Sequence, residues 1–185
     1  MEIIKVNPRG PEPEAIEKAR VILLKGGVIV YPTDTVYGLG AVVSNQAAVE
    51  RIKDIKGRSN TKPLSIMVRD FEMAERYGEL PPGAEKYLPG PYTLLLAKKP
   101  LVPEWISSND MVGIRIPDCQ FTKALMAGLE EAITTTSANL TNYPPVHSVA
   151  AFLEQVGERA AMIDLIVDAG ELAFNPPSTL INMSG

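Results

Sequence analysis

Four short polar segments break up the apolar runs of this chain, and their placement limits what it can fold into. They read YPTDTVYGLG at residues 31–40, KGRSNTKP at 56–63, VGIRIP at 112–117 and TTTSAN at 134–139. Each puts hydroxyls, cations or glycines where a strand or a helix ends. Ligands of α/β sheets bind where strands end. The pattern therefore describes a site for one phosphate-bearing ligand and one small polar ligand.

The apolar runs between these segments alternate in type. Short β-rich runs at 3–6, 28–31, 39–43, 64–68, 92–98, 112–116, 132–136, 165–167 and 179–181 read as strands. Apolar residues at helical spacing predict helices over 14–25, from Asn45 to Lys56, and over 71–77, 121–129 and 149–156. Gly26-Gly27 closes the first, while Asn45 suits an N-cap and Gly57 a C′ position of the second. Some strands follow one another with no room for a helix between them. A three-layer α/β fold with a twisted mixed parallel and antiparallel sheet is expected. No repeat or linker breaks residues 1–185, which read as a single domain.

The 185 residues carry 18 Lys and Arg against 22 Asp and Glu, a balance that disfavours a broad nucleic-acid face. Positive charge is concentrated instead at Arg51, Lys53, Lys56, Arg58 and Lys62, a density that suits a small anion. Apolar runs are too short to span a membrane, and the N-terminus has no secretory pattern. A lone Cys119 excludes an internal disulfide and fits a cytoplasmic setting.

Several chemistries lack their residues. There is no Walker A loop, no complete G-x-G-x-x-G, no G-x-S-x-G and no H-E-x-x-H. His147 is the only histidine and reads as a surface or capping residue; Cys119 reads as an inert thiol. What remains is polar. Thr33 and Thr35 flank Asp34 after a buried strand, where they serve either a turn or a ligand. Gly38 and Gly40 would let backbone approach a ligand closely. Lys56 and Arg58 end a helix, with Ser59, Asn60, Thr61 and Lys62 beyond; they either offset its dipole or grip phosphate. Arg115 lies between Ile114 and Ile116, so its guanidinium must meet a carboxylate of protein or ligand. Ser137 and Asn139 lie past a threonine run, and Ser178 repeats the hydroxyl theme.

Taken in order, PTDTVYGLG, Lys56-x-Arg58, KPL at 62–64, PGPYT at 89–93, VGIRIP, Ser137-Ala-Asn139 and PST at 177–179 resemble the Sua5/YrdC/YciO family over nearly the whole chain. The resemblance implies a YrdC-like fold without the extra Sua5 domain, and a threonylcarbamoyl-AMP synthase. Such an enzyme is a nucleotidyltransferase that joins L-threonine, bicarbonate and ATP into threonylcarbamoyl-adenylate and pyrophosphate, feeding threonylcarbamoyladenosine modification of tRNA. It implies Thr33, Thr35, Arg115 and Ser178 as threonine contacts. Lys56, Arg58, Lys62, Thr135, Ser137 and Asn139 would contact the nucleotide, with Lys56 and Arg58 as the catalytic cations. Magnesium would arrive with ATP, with no protein-held metal. A downstream tRNA threonylcarbamoyl transferase is the implied partner, and direct RNA binding is the lesser expectation.

The pattern departs from the family at Met67, where a histidine is frequent, and at Lys62, where asparagine is. Asn142-Tyr143 replaces a Ser-Gly type turn, and a C-terminal strand bearing a nucleotide-binding arginine is absent after Asn182. Two alternatives therefore stand beside the synthase: an RNA-binding module, and a YciO-like relative without this activity.

Overall fold

The computed structural model describes residues 1–58 and 62–184. Ser59, Asn60 and Thr61 of the polar loop lie outside the described residues. The ten strands are β1 (Glu2–Lys5), β2 (Ile29–Tyr31), β3 (Gly38–Gly40), β4 (Ile66–Met67), β5 (Tyr92–Ala97), β6 (Met111–Arg115), β7 (Ile133–Thr134), β8 (Thr136–Ser137), β9 (Leu165–Asp168) and β10 (Thr179–Asn182). Five α-helices join them: α1 (Pro13–Leu24), α2 (Gln46–Lys56), α3 (Phe71–Tyr77), α4 (Gln120–Met126) and α5 (Val149–Val156).

The strands form two mixed sheets, ordered β1-β9-β2-β3-β8 and β10-β5-β6-β4-β7. Each sheet combines parallel pairs (β1 with β9, β2 with β9, β4 with β6) with antiparallel ones (β2 with β3, β5 with β6). The sheets meet along residues 132–137. There β7 pairs with β4 of the second sheet, β8 pairs with β3 of the first, and Thr135 marks the change. Further bonds tie the stretch to both: Thr134 N donates to Ala41 O at 2.8 Å, and Thr135 N to Ser65 O at 2.8 Å. The expected strand at 132–136 is thus two short strands serving different sheets. The expected strand at 39–43 ends at Gly40, with only a bridge from Val42 to Ile133 beyond it.

Successive residues of β2, β3 and β6 are buried with no alternation. Both faces of the sheets are therefore covered, which is the three-layer arrangement. α1 buries Ala15, Ala19 and Leu23 and packs on α4, while α2 and α5 share the 3₁₀ turn Gly157–Met162. That turn was not legible in the sequence. α2 starts where Asn45 Oδ1 accepts from Ala48 N at 3.0 Å and ends at Gly57 with φ 56°, as its cap residues predict. Among the described residues, no helix is long and apolar enough to cross a membrane.

Gly38 lines the smaller cavity described below, and both glycines of β3 have a packing role that was not expected. A Cβ at Gly38 would lie 2.8 Å from the Tyr31 ring, and one at Gly40 would lie 2.8 Å from the same ring. Tyr31 reaches across β3 to donate to Thr134 O at 3.0 Å, and burial pushes its hydroxyl up to about 12. The glycines make room for this ring beside the junction of the sheets. Gly38→Ala should destabilise the fold by about 1–3 kcal/mol through overpacking. Urea denaturation checks this, and the loss should vanish when Tyr31 is already Leu. An unchanged midpoint for Gly38→Ala would refute the packing account.

Candidate active site

A half-open cavity of about 150 Å³ lies where the two sheets meet. Its polar wall comes from six places in the chain. Thr33 and Thr35 enter from the β2–β3 loop, and Arg115 from the end of β6. Thr135 and Ser137 come from the β7–β8 stretch, Ser65 and Thr93 from the starts of β4 and β5, and Ser178 from just before β10. At roughly 30 Å³ for each water of liquid, the space equals about five waters. It suits a small polar molecule and is too small for a nucleotide.

Arg115 organises this cavity. Its side chain is 5 % exposed, and it pairs with Asp34 through Nη2. The same nitrogen donates to Thr35 Oγ1 at 2.9 Å. Thr35 Oγ1 lies 3.1 Å from Thr33 Oγ1, which donates to Val36 O at 2.7 Å. Asp34 also accepts from Asp118 N at 3.1 Å, which fixes its carboxylate from the other side. Burial pulls the Arg115 guanidinium down from its ordinary value, and Asp34 opposes that pull. Nε of Arg115 is buried without a partner. Across the cavity, Ser178 Oγ and Thr93 Oγ1 are bonded at 2.7 Å.

Lys56 and Asn139 stand behind this wall. The ammonium of Lys56 donates to Asn139 O at 2.9 Å, to Asn139 Oδ1 at 3.3 Å and to Ser137 O. Ser137 Oγ bonds Asn139 Oδ1, and Asn139 Nδ2 donates to Leu140 O and Tyr143 O, each at 2.8 Å. Lys56 thus holds the TTTSAN segment in shape. Arg58 donates to Pro63 O and has a buried, unpartnered Nε; burial lowers it. Lys62 is exposed.

The stretch from Arg51 to Lys62 does not form one basic patch. Arg51 is paired with Asp164, and Lys53, 2 % exposed, with Glu50 at 3.1 Å. Met67 is fully buried in β4 and does not line the cavity.

A second cavity of about 440 Å³ adjoins the first through Thr35 and Pro177. Asp34, Gly90, Tyr92, Asp118, Asn175 and Pro176 are among its walls. Thr33, Thr35, Arg115, Thr135, Ser137 and Ser178 therefore share one cavity, whereas Lys56 and Asn139 support it from outside. Sequence reading missed Asp34 as the carboxylate for Arg115, and also Ser65, Thr93 and Asn175. Thr93, polar in the apolar strand YTLLLA, carried a signal; Asn175 carried none. Among the described residues, no group of three or more His, Cys, Asp or Glu side chains is placed to hold a metal ion.

The family model Sua5_yciO_yrdC, described as "Telomere recombination", matches residues 21–185. The chain belongs to the Sua5/YciO/YrdC family. It is 35% identical over 98% of its length to a putative threonylcarbamoyl-AMP synthase of Methanocaldococcus jannaschii, covering 87% of that protein. The crystal structure of Pyrococcus abyssi Sua5 complexed with L-threonine superposes with a TM-score of 0.90 at 34% identity; it matches 99% of this chain, which covers 54% of that one. Escherichia coli YciO superposes at 0.89 and 28% identity, with all of this chain covering 92% of that one. Thus the chain spans about half of Sua5 and nearly all of YciO. The family's fold is shown by these matches, and its synthase and YciO branches are both near.

Lys56 gives the site a pH signature. Burial, and next the neighbouring Arg58, pushes its ammonium from the ordinary 10.5 to about 7. Below about 7 it is charged in both the folded and the unfolded chain. Between about 7 and 10.5 the unfolded chain binds more protons, so stability rises with pH across that window. Wild-type stability relative to Lys56→Met should therefore be flat below pH 7 and climb above it. Urea titrations at several pH values check this. A flat difference throughout would mean that the three oxygens around Nζ hold the proton.

Proposed function

We propose that this chain is a threonylcarbamoyl-AMP synthase. It joins L-threonine, bicarbonate and ATP into threonylcarbamoyl-adenylate and pyrophosphate, for use by a tRNA threonylcarbamoyl transferase. One observation carries the reading: a nearly buried guanidinium, held through Nη2 by Asp34 and Thr35, lines a hydroxyl-rich cavity of amino-acid size. A carboxylate is the group such a guanidinium binds best, because two N–H donors meet two oxygens. The threonine named in the P. abyssi Sua5 structure carries that carboxylate, and the hydroxyls of Thr33, Thr35 and Ser178 suit its polar groups.

The chemistry needs placement more than a nucleophile. The threonine amine adds to the bicarbonate carbon with loss of water, giving a carbamate. A carbamate oxygen then attacks the α-phosphorus of ATP, and pyrophosphate leaves. Such a displacement is governed by alignment and charge neutralisation. Thr135 and Ser137 on the cavity rim, with Lys56 and Asn139 behind, form the proposed nucleotide side together with Arg58 and Lys62; the cations offset the charge of the leaving pyrophosphate. Magnesium belongs to this reading as the ion carried by ATP.

A YciO-like relative without this activity is the second reading, because YciO superposes about as well as Sua5 does. An RNA-binding role has less support, because Arg51, Lys53 and Lys56 all have partners inside the protein. Too few cations are left to follow a phosphate backbone.

Pyrophosphate release from ATP tests the proposal. It should require both L-threonine and bicarbonate. Arg115→Lys should raise the threonine KM by about 10- to 100-fold, as loss of a charge-assisted bond of roughly 1.5–3 kcal/mol implies. Release that ignores threonine, or no release at all from folded protein, overturns the assignment.

A further inference from the structure

Residues 170–178 run without helix or strand from the end of β9 to the start of β10 and form a wall of both cavities. Most of their side chains are exposed, so burial contributes little to holding them in place. Few bonds fix the segment. At its start Gly170 O accepts from Tyr37 Oη at 2.6 Å, and at its end Ser178 meets Thr93. Between these ends Leu172 packs against the core, and among the described residues the segment's hydrogen bonds to the rest of the chain lead to two residues.

The first is His147. Its carbonyl accepts from Leu172 N at 2.8 Å, its Nε2 lies 3.0 Å from Asn175 O, and its ring stacks on Phe174 with centroids 4.5 Å apart at 27°. A carbonyl only accepts, so Nε2 carries the proton. Phe174 is 92 % exposed, and its stacking on His147 is the one aromatic contact it makes among the described residues. The second residue is Asp34. Its backbone carbonyl accepts from Asn175 Nδ2 at 3.1 Å, while its carboxylate holds Arg115. An unbroken series of contacts therefore runs from His147 through Asn175 and Asp34 to the guanidinium in the smaller cavity.

We propose that residues 170–178 are a strap across the site, with His147 as its latch and Asn175 as a positioning residue for the Asp34–Arg115 pair. This inference rests on the synthase reading for its substrate, but not for its structural content. His147 lines neither cavity, and Asn175 lines only the larger one. They act by fixing the wall and the carboxylate that aims Arg115. A loosened strap lowers the fraction of molecules ready to bind, so apparent affinity falls in proportion. The chemical step, once substrate is bound, is unchanged.

Two measurements on the full chain test this. Hydrogen exchange of residues 170–178, without ligand, should quicken about tenfold in His147→Ala and in Phe174→Ala, the effect of losing one stacked pair or one hydrogen bond. His147→Phe, which keeps a stacked ring, should recover part of the loss. In the pyrophosphate assay, His147→Ala and Asn175→Ala should raise the threonine KM about three- to tenfold with kcat held within about twofold. Unchanged exchange in His147→Ala overturns the latch. A wild-type reaction that depends on threonine, with KM unmoved in both variants, overturns the positioning role and leaves the synthase intact. A wild type that releases no pyrophosphate defeats the synthase reading, and the exchange result alone then decides the latch.

Discussion

The Asp34–Arg115 pair is the interaction on which the rest of the site depends. Arg115 ends β6, an interior strand bonded on both sides by β4 and β5. Asp34 comes from the β2–β3 loop of the other sheet. The pair therefore connects the two sheets across the cavity that separates them. Such a pair is a poor device for stability, since desolvating both charges offsets most of their attraction. It is a good device for placing a guanidinium where an incoming carboxylate finds it dry and oriented.

The junction of the sheets explains the threonine run. Thr134 is fully buried; its Oγ1 accepts from Ala41 N at 3.1 Å and donates to Leu39 O at 3.0 Å, so its hydroxyl is spent on holding β3. Thr135 and Ser137 face the cavity. One run of similar residues thus divides between framework and site. The divide falls where the strand changes sheets, because a change of partner frees backbone and side chain together. Lys56 performs a related task from behind. By gathering Ser137 O and both oxygens of Asn139, it sets the turn that presents the hydroxyls. Its charge and its framework role cannot be separated by removing the side chain, whereas pH separates them.

Most elements were legible because their signals are local. Asn45 and Gly57 frame α2, short apolar runs mark β5 and β6, and Gly26-Gly27 ends α1. The meeting of Thr33, Thr35, Arg115, Thr135, Ser137 and Ser178 in one cavity followed from order along the chain and family resemblance. What was not legible depends on distant partners. Glu50, three residues before Lys53 on α2, was a local signal, but nothing around Arg51 says that Asp164 will hold it, so five nearby cations read as a patch that the fold takes apart. Gly38 and Gly40 read as space for a ligand, because the ring that needs the space lies seven and nine residues earlier in sequence at Tyr31 and arrives by strand pairing. Asn175 and His147 meet across 28 residues of intervening chain.

The placement of Cys119 and His147 outside the cavity walls has a further consequence. Cys119, half-buried with Sγ 3.7 Å from Pro32 O, and His147 line neither cavity. A site that works by placing reactants rather than by bonding to them puts its demands on geometry. Shifts of about 1 Å then matter as much as the loss of a contact residue. The supporting residues (Asp34 beneath Arg115, Lys56 beneath Ser137, Asn175 beneath Asp34) consequently belong to the function, although none needs to touch a reacting atom. Relatives that keep the framework but alter these supports would retain the fold and change the chemistry, which is how one architecture could serve both the Sua5 and the YciO branches of the family.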